Sequence, residues 1–199
     1  MKRLELKTMV RLIKLEEITE RLVIRPYITN DYRNWYTHYS HCYPARNKFD
    51  EGKIDLSDYT EAWFDEMVNK HQQLMDKDVA YILGVFRKDD GAHVGVIDLS
   101  TLMRNEFQWG RIGYTILNTY WEHGYGKEAV KAVLDMAFTQ LGYHRIEAHI
   151  NMDNTASIKL AESVGMEFEC VRRDFIFEFG EWTDHLVYFR NAKQQGTLA

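Results

Sequence analysis

The sequence predicts an α/β domain in which a mixed β-sheet is flanked by helices. First, the chain has 199 residues, of which 45% are hydrophobic and 28% charged, the balance of one globular domain with a sizeable core. Second, segments with strand-like and with helical spacing of apolar residues alternate along most of the chain. Third, glycine, proline and short polar runs separate these segments, as turns do.

Seven segments have the composition and the alternating apolar pattern of strands. Pro26 ends the first of them, because proline lacks the backbone donor that a ladder needs. The polar turn at residues 88–91 joins the second and third strands into a hairpin, and Gly180 and Glu181 join the last two. In chain order the predicted strands are residues 22–26, 79–86, 93–99, 109–117, 144–150, 167–179 and 182–189.

Four segments carry apolar residues at helical spacing. The first follows a cap at residues 29–31, and the second starts at Ser57. After Gly126 the period changes from two to 3.6, and a long amphipathic helix runs until Gly142 ends it. A fourth helix covers residues 154–164. The predicted element order is therefore β-α-α-β-β-β-α-β-α-β-β.

Composition and residue spacing exclude several classes of function. A net charge of −5 argues against nucleic acid as the main partner. Cys42 and Cys170 lie far apart without CxxC spacing, and the eight histidines form neither HxxxH nor HExxH. We therefore expect no metal site and no disulfide framework.

Domain boundaries and location follow from the pattern of charges along the chain. No stretch reaches the ~18 uncharged residues of a membrane-spanning helix, and charges interrupt the first residues before the apolar run of a signal peptide forms. We therefore expect a cytoplasmic protein that has no membrane partner. We expect residues 1–18 to be an N-terminal extension, residues 19–192 the folded domain and residues 193–199 a C-terminal tail.

Gly124 and Gly126 lie where the strand pattern gives way to the long helix. Amides in the first turn of a helix have no intrahelical partner, the helix dipole adds positive charge, and glycines let a ligand come close. A diphosphate fits such a position, and Lys127 adds a charge. Gly-x-Gly by itself is a weak signal, and the alternative is a tight turn without a ligand. The patterns of a P-loop and of a dinucleotide-binding fold are absent.

The run Trp121-Glu-His-Gly-Tyr-Gly-Lys-Glu-Ala129 resembles motif A of the GCN5-related N-acetyltransferase (GNAT) superfamily. The tryptophan at its first position, with Tyr125 and the following Lys-Glu-Ala, is similar to the RimJ/RimL-like branch, whose members acetylate protein amino termini and various small amines. Residues 151–166 resemble the branch's Asn-x-x-Ser-x-x-x-x-x-x-x-Gly-Phe/Met signature, and residues 20–26 resemble its opening strand. The resemblance covers about residues 19–190.

The resemblance implies a GNAT fold: a twisted, mostly antiparallel sheet in which one parallel pair of strands splays apart. Acetyl-CoA would lie in this splay, between the strands that end near Ile116 and Ile150. Gly113 is well placed for a bulge that opens the splay. The residues whose backbone groups would pair with the pantetheine arm are Tyr114, Thr115 and Ile116, and those whose amides would hold the diphosphate are His123, Gly124, Tyr125, Gly126, Lys127 and Glu128.

The resemblance also implies roles for two residues near the fourth helix. Asn154 would hydrogen-bond the pantetheine arm, and Ser157 would lie near the sulfur and protonate the departing thiolate. Each has a structural alternative, because asparagine is a common N-cap and serine is ordinary in a first helical turn. Backbone amides at residues 112–114 are candidates for stabilising the oxyanion.

The general base differs from the family pattern. Many relatives have glutamate directly before the Ile-Gly-Tyr of the long strand, whereas this chain has Arg111. Glu106 in the preceding connection and Asp98 on the previous strand are the candidate substitutes. Because of Arg111, a non-catalytic acyl-CoA-binding sensor also remains an alternative.

The acceptor is predicted less sharply than the donor. Residues 50–66 contain seven carboxylates against one lysine, which would attract a cationic acceptor. We expect a protein amino terminus or a small cationic amine, with a polyamine or an aminoglycoside as alternatives. A solvated helix face explains the same acids, and an interaction protein that acts by docking remains a further alternative. The aromatic strands at the carboxyl end are consistent with a homodimer.

We predict that replacing both Gly124 and Gly126 by valine abolishes acetyl-CoA binding, because the side chains would hold the diphosphate away from the helix amides. Isothermal titration calorimetry measures the affinity, and a thermal unfolding curve of the same variant checks that it folds. An unchanged affinity in a folded variant would remove the assignment of the cradle.

Overall fold

A single eight-stranded sheet organises the computed structural model, which describes residues 15–193. The strand order across the sheet is β1-β2-β3-β4-β5-β6-β8-β7. Every neighbouring pair is antiparallel except β5 and β6, which are parallel. The strands are β1 (Glu17–Ile18), β2 (Leu22–Pro26), β3 (Ala80–Arg87), β4 (His93–Met103), β5 (Trp109–Ile116), β6 (Arg145–Asn151), β7 (Glu167–Glu178) and β8 (Glu181–Asn191). The helices are α1 (Tyr32–Ser40), α2 (Glu61–Asp76), α3 (Tyr125–Thr139) and α4 (Thr155–Ser163).

The predicted fold class is confirmed, and the seven predicted strands and four predicted helices all form in the predicted order. The additional strand is β1, in which Glu17 and Ile18 pair with β2. Two residues are too short to show an alternating pattern, so the sequence did not indicate this strand. The sheet thus begins inside the predicted N-terminal extension; residues 1–14 and 194–199 of the predicted terminal segments lie outside the described part of the chain.

Two element boundaries differ from the prediction for local reasons. Helix α2 begins at Glu61 and not at Ser57, because Thr60 is the N-cap and its Oγ1 accepts a hydrogen bond from the Trp63 amide at 3.2 Å. Strand β4 continues to Met103, because it pairs with β5 as far as Trp109. Within residues 15–193, none of the helices combines the length and the apolar character that crossing a membrane requires.

Helices cover both faces of the sheet, and each face has its own core. The α3/α4 face buries aliphatic residues of the central strands against the apolar side of α3, where Val130 and Leu134 are fully buried. The α1/α2 face is mostly aromatic, with Phe64 fully buried among Trp35 and Tyr27. The sheet is therefore the middle of three layers.

The parallel pair is joined at one end only. Strand β5 pairs with β6 at Trp109, Gly110 and Arg111, whereas residues 112–116 have no partner on that side among the described residues. We call the gap between residues 112–116 of β5 and 148–151 of β6 the wedge. On its other side β5 stays paired with β4 as far as Ile116.

The expected bulge at Gly113 is wrong, because the β4–β5 register runs without a shift from Gly110 to Ile116. The register shift lies between Thr101 and Met103. The close approach at Gly113 is to Asp98 on β4: a Cβ atom at this glycine would lie 2.3 Å from the Asp98 Oδ1 atom. The wedge thus opens because β5 and β6 diverge, without an extra residue in β5.

We predict that Gly95→Ala destabilises the protein by about 1–3 kcal/mol, the usual cost of overpacking. A Cβ atom at this position would lie 2.3 Å from the Thr115 carbonyl oxygen, so β4 and β5 would have to separate. Urea unfolding measures the loss of free energy. Gly126→Ala is the control, since its Cβ would meet Leu160 and Ile116 no closer than 3.4 Å. Equal stability of the two variants would contradict the proposed clash.

Candidate functional site

The start of α3 forms a concave row of backbone amides at residues 123–128, which we call the anion cradle. Gly124 is the N-cap and has φ of +77°, a left-handed conformation that glycine adopts without steric cost. The Glu128 amide donates to the Gly124 carbonyl at 3.2 Å, so the preceding amides of the first turn have no intrahelical acceptor. His123, Gly124 and Lys127 are exposed. The local sequence therefore leaves unpaired backbone amides at this helix start, an arrangement that suits an anion.

The aromatic residues of the motif attach the cradle to the sheet. The Trp121 Nε1 atom donates to the carbonyl oxygen of Ile116, the last residue of β5, at 2.6 Å. Tyr125 is buried, and the Arg21 guanidinium lies over its ring at 4.8 Å from the ring centroid. These contacts place the cradle at the open end of the wedge.

The Glu128 amide is already paired with the Gly124 carbonyl, and the Glu128 carboxylate has a structural role. Its carboxylate accepts hydrogen bonds from the Thr19 Oγ1 atom at 2.5 Å, the Arg21 amide at 2.9 Å and the Arg21 Nε atom at 2.7 Å. Burial alone would raise the pKa of Glu128, but the hydrogen bonds from Thr19 and Arg21 outweigh burial and lower it. The ionised carboxylate therefore ties the segment before β2 to α3.

Arg21 is a candidate anion-binding residue that the sequence did not indicate. Its Nη1 atom donates to the His123 carbonyl at 2.9 Å, and its Nη2 atom lies 3.4 Å from where a Cβ of Gly124 would be. Its side chain is 44% exposed, so the guanidinium remains accessible beside the cradle. The two residues are about a hundred positions apart in the chain, and only the packing of β2 against α3 brings them together.

The backbone of β5 presents alternate residues to the wedge. The Leu117 amide donates to Val94 on β4 at 3.0 Å, and the Thr115 carbonyl points toward Gly95 of the same strand. The polar groups of Tyr114 and Ile116 consequently point into the wedge, although the Ile116 carbonyl already accepts from Trp121. Of the three residues predicted to pair with a pantetheine arm, Tyr114 and Ile116 face the wedge, whereas the backbone groups of Thr115 face β4.

Tyr114 and Ser157 meet at the wedge on the α3/α4 face. The Tyr114 hydroxyl lies 2.8 Å from the Ser157 Oγ atom. Asn154 is the N-cap of α4, and its Oδ1 atom accepts from the Ser157 amide at 3.2 Å. Burial raises the pKa of Tyr114 although its hydrogen bond with Ser157 lowers it, so the phenol stays neutral near pH 7. The pair can donate a proton or a hydrogen bond.

The two candidate bases lie in different places. Glu106 is exposed in the connection that precedes β5, at the opposite end of this strand from Ile116 and the wedge. Asp98 lies on the α1/α2 face with its carboxylate over Gly113, and it accepts a weak hydrogen bond from the Ser100 Oγ atom at 3.4 Å. Burial raises the pKa of Asp98, against the opposing effect of Arg111. The structure brings Asp98 to the wedge and leaves Glu106 away from it.

A second polar cluster lies on β6, on the α1/α2 face of the sheet that also carries Asp98. The Glu147 carboxylate, 2% exposed as a residue, accepts from the Arg145 Nε atom at 2.9 Å and from the Arg172 Nη2 atom at 3.1 Å. The His149 Nε2 atom lies 2.9 Å from the Glu147 Oε2 atom, the oxygen that also accepts from Arg172. Burial would raise the pKa of Glu147, but the hydrogen bonds and the arginine charges lower it. This carboxylate is therefore occupied in linking β6 to β7 across the intervening strand β8.

Comparisons with known proteins agree with this geometry. The family profile described as "Acetyltransferase (GNAT) domain" matches residues 21–167. A Bacillus subtilis protein named as a probable N-acetyltransferase is 32% identical over 120 residues, which are 60% of this chain and 66% of that protein, so the chain spans just under two thirds of its length. The ribosomal protein uS5-alanine N-acetyltransferase of Escherichia coli is 28% identical over 149 residues, 74% of this chain and 68% of that one.

A solved structure has a similar fold. It is RimJ of Mycobacterium smegmatis in complex with CoA-disulfide, with a TM-score of 0.71 and 20% identity, covering 88% of this chain and 84% of that one. The matched family profile spans β2, the wedge, the cradle and α4. The chain therefore belongs to the GNAT acetyltransferase family, in its RimJ/RimL-like branch.

Proposed function

We propose that this protein transfers an acetyl group from acetyl-CoA directly to an amine, with a protein amino terminus or a small cationic amine as the acceptor. The observation that carries the proposal is the wedge, which has an anion cradle at its open end and a different polar group on each face. The name of the Escherichia coli relative, and the CoA held by the Mycobacterium smegmatis structure, support the same reaction.

The residues around the wedge fit acetyl-CoA. The cradle amides and Arg21 suit a diphosphate, since unpaired amides at a helix start and a guanidinium both bind such groups. The Tyr114 backbone and the Ile116 amide offer strand-like pairing to the amide groups of the pantetheine arm. The Asn154 Oδ1 atom already caps α4, which leaves the Nδ2 group for a ligand. Acetyl-CoA would supply the activated thioester.

The two proton transfers take place on opposite faces of β5. The amine nitrogen bonds to the acetyl carbon, the carbon–sulfur bond breaks, one proton leaves the nitrogen and one reaches the sulfur. The Asp98 carboxylate accepts the first proton from the α1/α2 face. The Ser157 hydroxyl, backed by Tyr114, donates the second from the α3/α4 face. The wedge-facing amides of β5 stabilise the oxyanion.

Asp98 is preferred over the other acids as the base. A general base works best when its pKa lies closer to the working pH, and burial shifts the pKa of Asp98 in that direction. Glu147 has the opposite shift and three bonded partners. Glu106 is exposed and remote from Ser157 along the sheet.

The surroundings suit a positively charged acceptor. The described carboxylates between residues 50 and 66 that are exposed are Glu51, Asp55, Asp58, Glu61 and Glu66. Their field attracts cations to the α1/α2 face.

The proposal also covers location and assembly. If the acceptor resembles the ribosomal protein named for the Escherichia coli relative, the protein acts in the cytoplasm, where ribosomes are. The edge strand β7 exposes Phe168 and Phe177, which supports a homodimer through this edge.

We predict that Ser157→Ala lowers kcat by about 10²-fold with little change in acetyl-CoA affinity, because the variant loses a proton donor but keeps the backbone amide that donates to the Asn154 cap. Thiol release from acetyl-CoA, assayed against peptide and small amine acceptors, measures turnover. Asn154→Ala is the contrasting control, with a loss of about 1 kcal/mol of stability from the missing cap. An unchanged kcat in Ser157→Ala would exclude this role. Tight acetyl-CoA binding by the unmodified protein without turnover on any amine would overturn the function itself.

We predict opposite effects of Asp98→Asn on activity and on stability. Activity should fall, and the acidic limb of the kcat/KM profile should disappear, because the base must be ionised. Because folding raises the pKa of the Asp98 carboxyl group, the folded protein loses stability as the pH rises through that raised pKa. The asparagine variant should therefore unfold at a higher temperature than the unmodified protein at pH 7. A variant that is fully active at every pH would show that Asp98 is not the base.

A further inference from the structure

A second cavity lies on the α1/α2 face, between α1, α2, the loop before α2 and the sheet. Its volume is about 240 Å³, which is smaller than a typical pocket of about 300–1,000 Å³ for a drug-sized ligand and suits a single side chain or a short alkyl chain. The residues that line it are Tyr27, Trp35, Tyr39, Glu51, Ile54, Tyr59, Trp63, Met67, His71, Ile82 and Val96. None of the proposed catalytic groups belongs to it.

The cavity lies beside the proposed acceptor site. Its floor includes Val96 of β4, which lies directly opposite Thr115 of β5 and two residues before Asp98 on the same face of the sheet. Thr115 is exposed although β5 is a central strand, so this face of the sheet is open there. Two residues along a strand span about 7 Å. A group in the cavity is thus separated from Asp98 by about the reach of the four-carbon stem of lysine.

Four aromatic rings form one side of the cavity. The ring centroids of Trp35 and Trp63 lie 5.6 Å apart, those of Tyr59 and Trp63 4.6 Å, and those of Trp35 and Tyr39 4.8 Å. Tyr39, Tyr59 and Trp63 are only half-buried, so parts of their surfaces remain available. Indole and phenol faces attract an ammonium group.

The charge of the cavity also favours a cation. Glu51 is the one carboxylate among the described lining residues, and none of them is lysine or arginine. Burial and the nearby Lys70 lower the pKa of His71, so this imidazole stays uncharged near pH 7. Burial raises the pKa of Tyr39, and the charge of Glu51 raises it further, which indicates that this carboxylate acts on the cavity.

The loop that carries Glu51 is held in place from the end of β5. The Asp50 Oδ1 atom accepts from the Gly52 amide at 2.9 Å, and its Oδ2 atom accepts from the Asn118 Nδ2 group at 3.0 Å. The Asn118 Oδ1 atom accepts from the Tyr43 amide at 2.9 Å. A Cβ atom at Gly52 would lie 2.2 Å from the Ala45 backbone nitrogen, so this tight loop requires glycine. The position of Glu51 is therefore coupled to the strand that lines the wedge.

We propose that this aromatic cavity and Glu51 bind a second, non-reacting ammonium group of the acceptor, carried on an alkyl chain of about five carbons, while the reacting amine lies at Asp98. The proposal rests on the proposed acetyl transfer and narrows its acceptor to an amine with two cationic groups. The same chemistry occurs in a free diamine and in a peptide that begins with lysine.

The test compares 1,5-diaminopentane with pentylamine as acceptors for the full-length protein at saturating acetyl-CoA. We expect kcat/KM to be on the order of 10-fold higher for the diamine than for pentylamine, as one partly exposed cation–π contact together with one carboxylate contact allows. Glu51→Gln should remove this preference by lowering kcat/KM for the diamine. Glu66→Gln, which neutralises an exposed carboxylate of α2 outside the cavity, is the matched control and should keep the preference.

A second arm identifies the source of the ammonium group. Peptides that begin with lysine or with norleucine have side chains with the same four-carbon stem, and only the lysine side chain ends in an ammonium group. A preference for lysine that Glu51→Gln abolishes, without a preference for the diamine, would assign the cavity to peptide acceptors. Equal kcat/KM for the charged and uncharged member of both pairs would overturn the proposal while leaving acetyl transfer intact.

A binding measurement separates this proposal from the function on which it rests. If no amine is acetylated, tryptophan fluorescence is titrated with 1,5-diaminopentane in the presence of CoA. Saturable quenching that Trp63→Phe reduces and Glu51→Gln abolishes would support a cation site even though the transfer reaction had failed. Absence of saturable quenching in the unmodified protein would exclude the cation site.

Discussion

The wedge between β5 and β6 is the constraint on which the rest of the site depends. A central strand normally has hydrogen-bonding partners on both sides, and unpaired backbone groups are costly unless water or a ligand satisfies them. Strand β5 keeps its pairing with β4 to Ile116 but loses β6 after Arg111. In the proposed function, the wedge-facing groups of Tyr114 and the Ile116 amide pair with an extended ligand as they would with an additional strand.

The side chains around the wedge are divided by the alternation of β5. Tyr114 points to the α3/α4 face and meets Ser157, whereas Gly113 leaves room on the opposite face for Asp98. The proposed donor and the proposed acceptor of protons thus lie on opposite faces of the sheet. Positive and negative groups are also separated. Unpaired amides and Arg21 lie at the cradle, whereas exposed carboxylates lie in the segment that carries Glu51.

Local patterns predicted the elements well because most of them are long and half-buried. The 15-residue α3 has an unambiguous apolar face, whereas the two-residue β1 has no pattern to detect. The motif also predicted the cradle, because its properties depend on adjacent amides of one helix start. The sequence offered no ground for choosing between Glu106 and Asp98 as the proposed base. Strand pairing separates them, because it leaves Glu106 in an exposed connection and holds the Asp98 carboxylate over Gly113.

The sequence by itself determined the fold class, the family resemblance and the position of the glycine cradle, because each depends on residues that are neighbours in the chain. The tertiary structure alone decided that Glu128 binds Thr19 and Arg21, that Ser157 meets Tyr114, and that the aromatic cavity lies beside β5. These contacts join residues that are distant in the chain, and which of them meet depends on strand order and register.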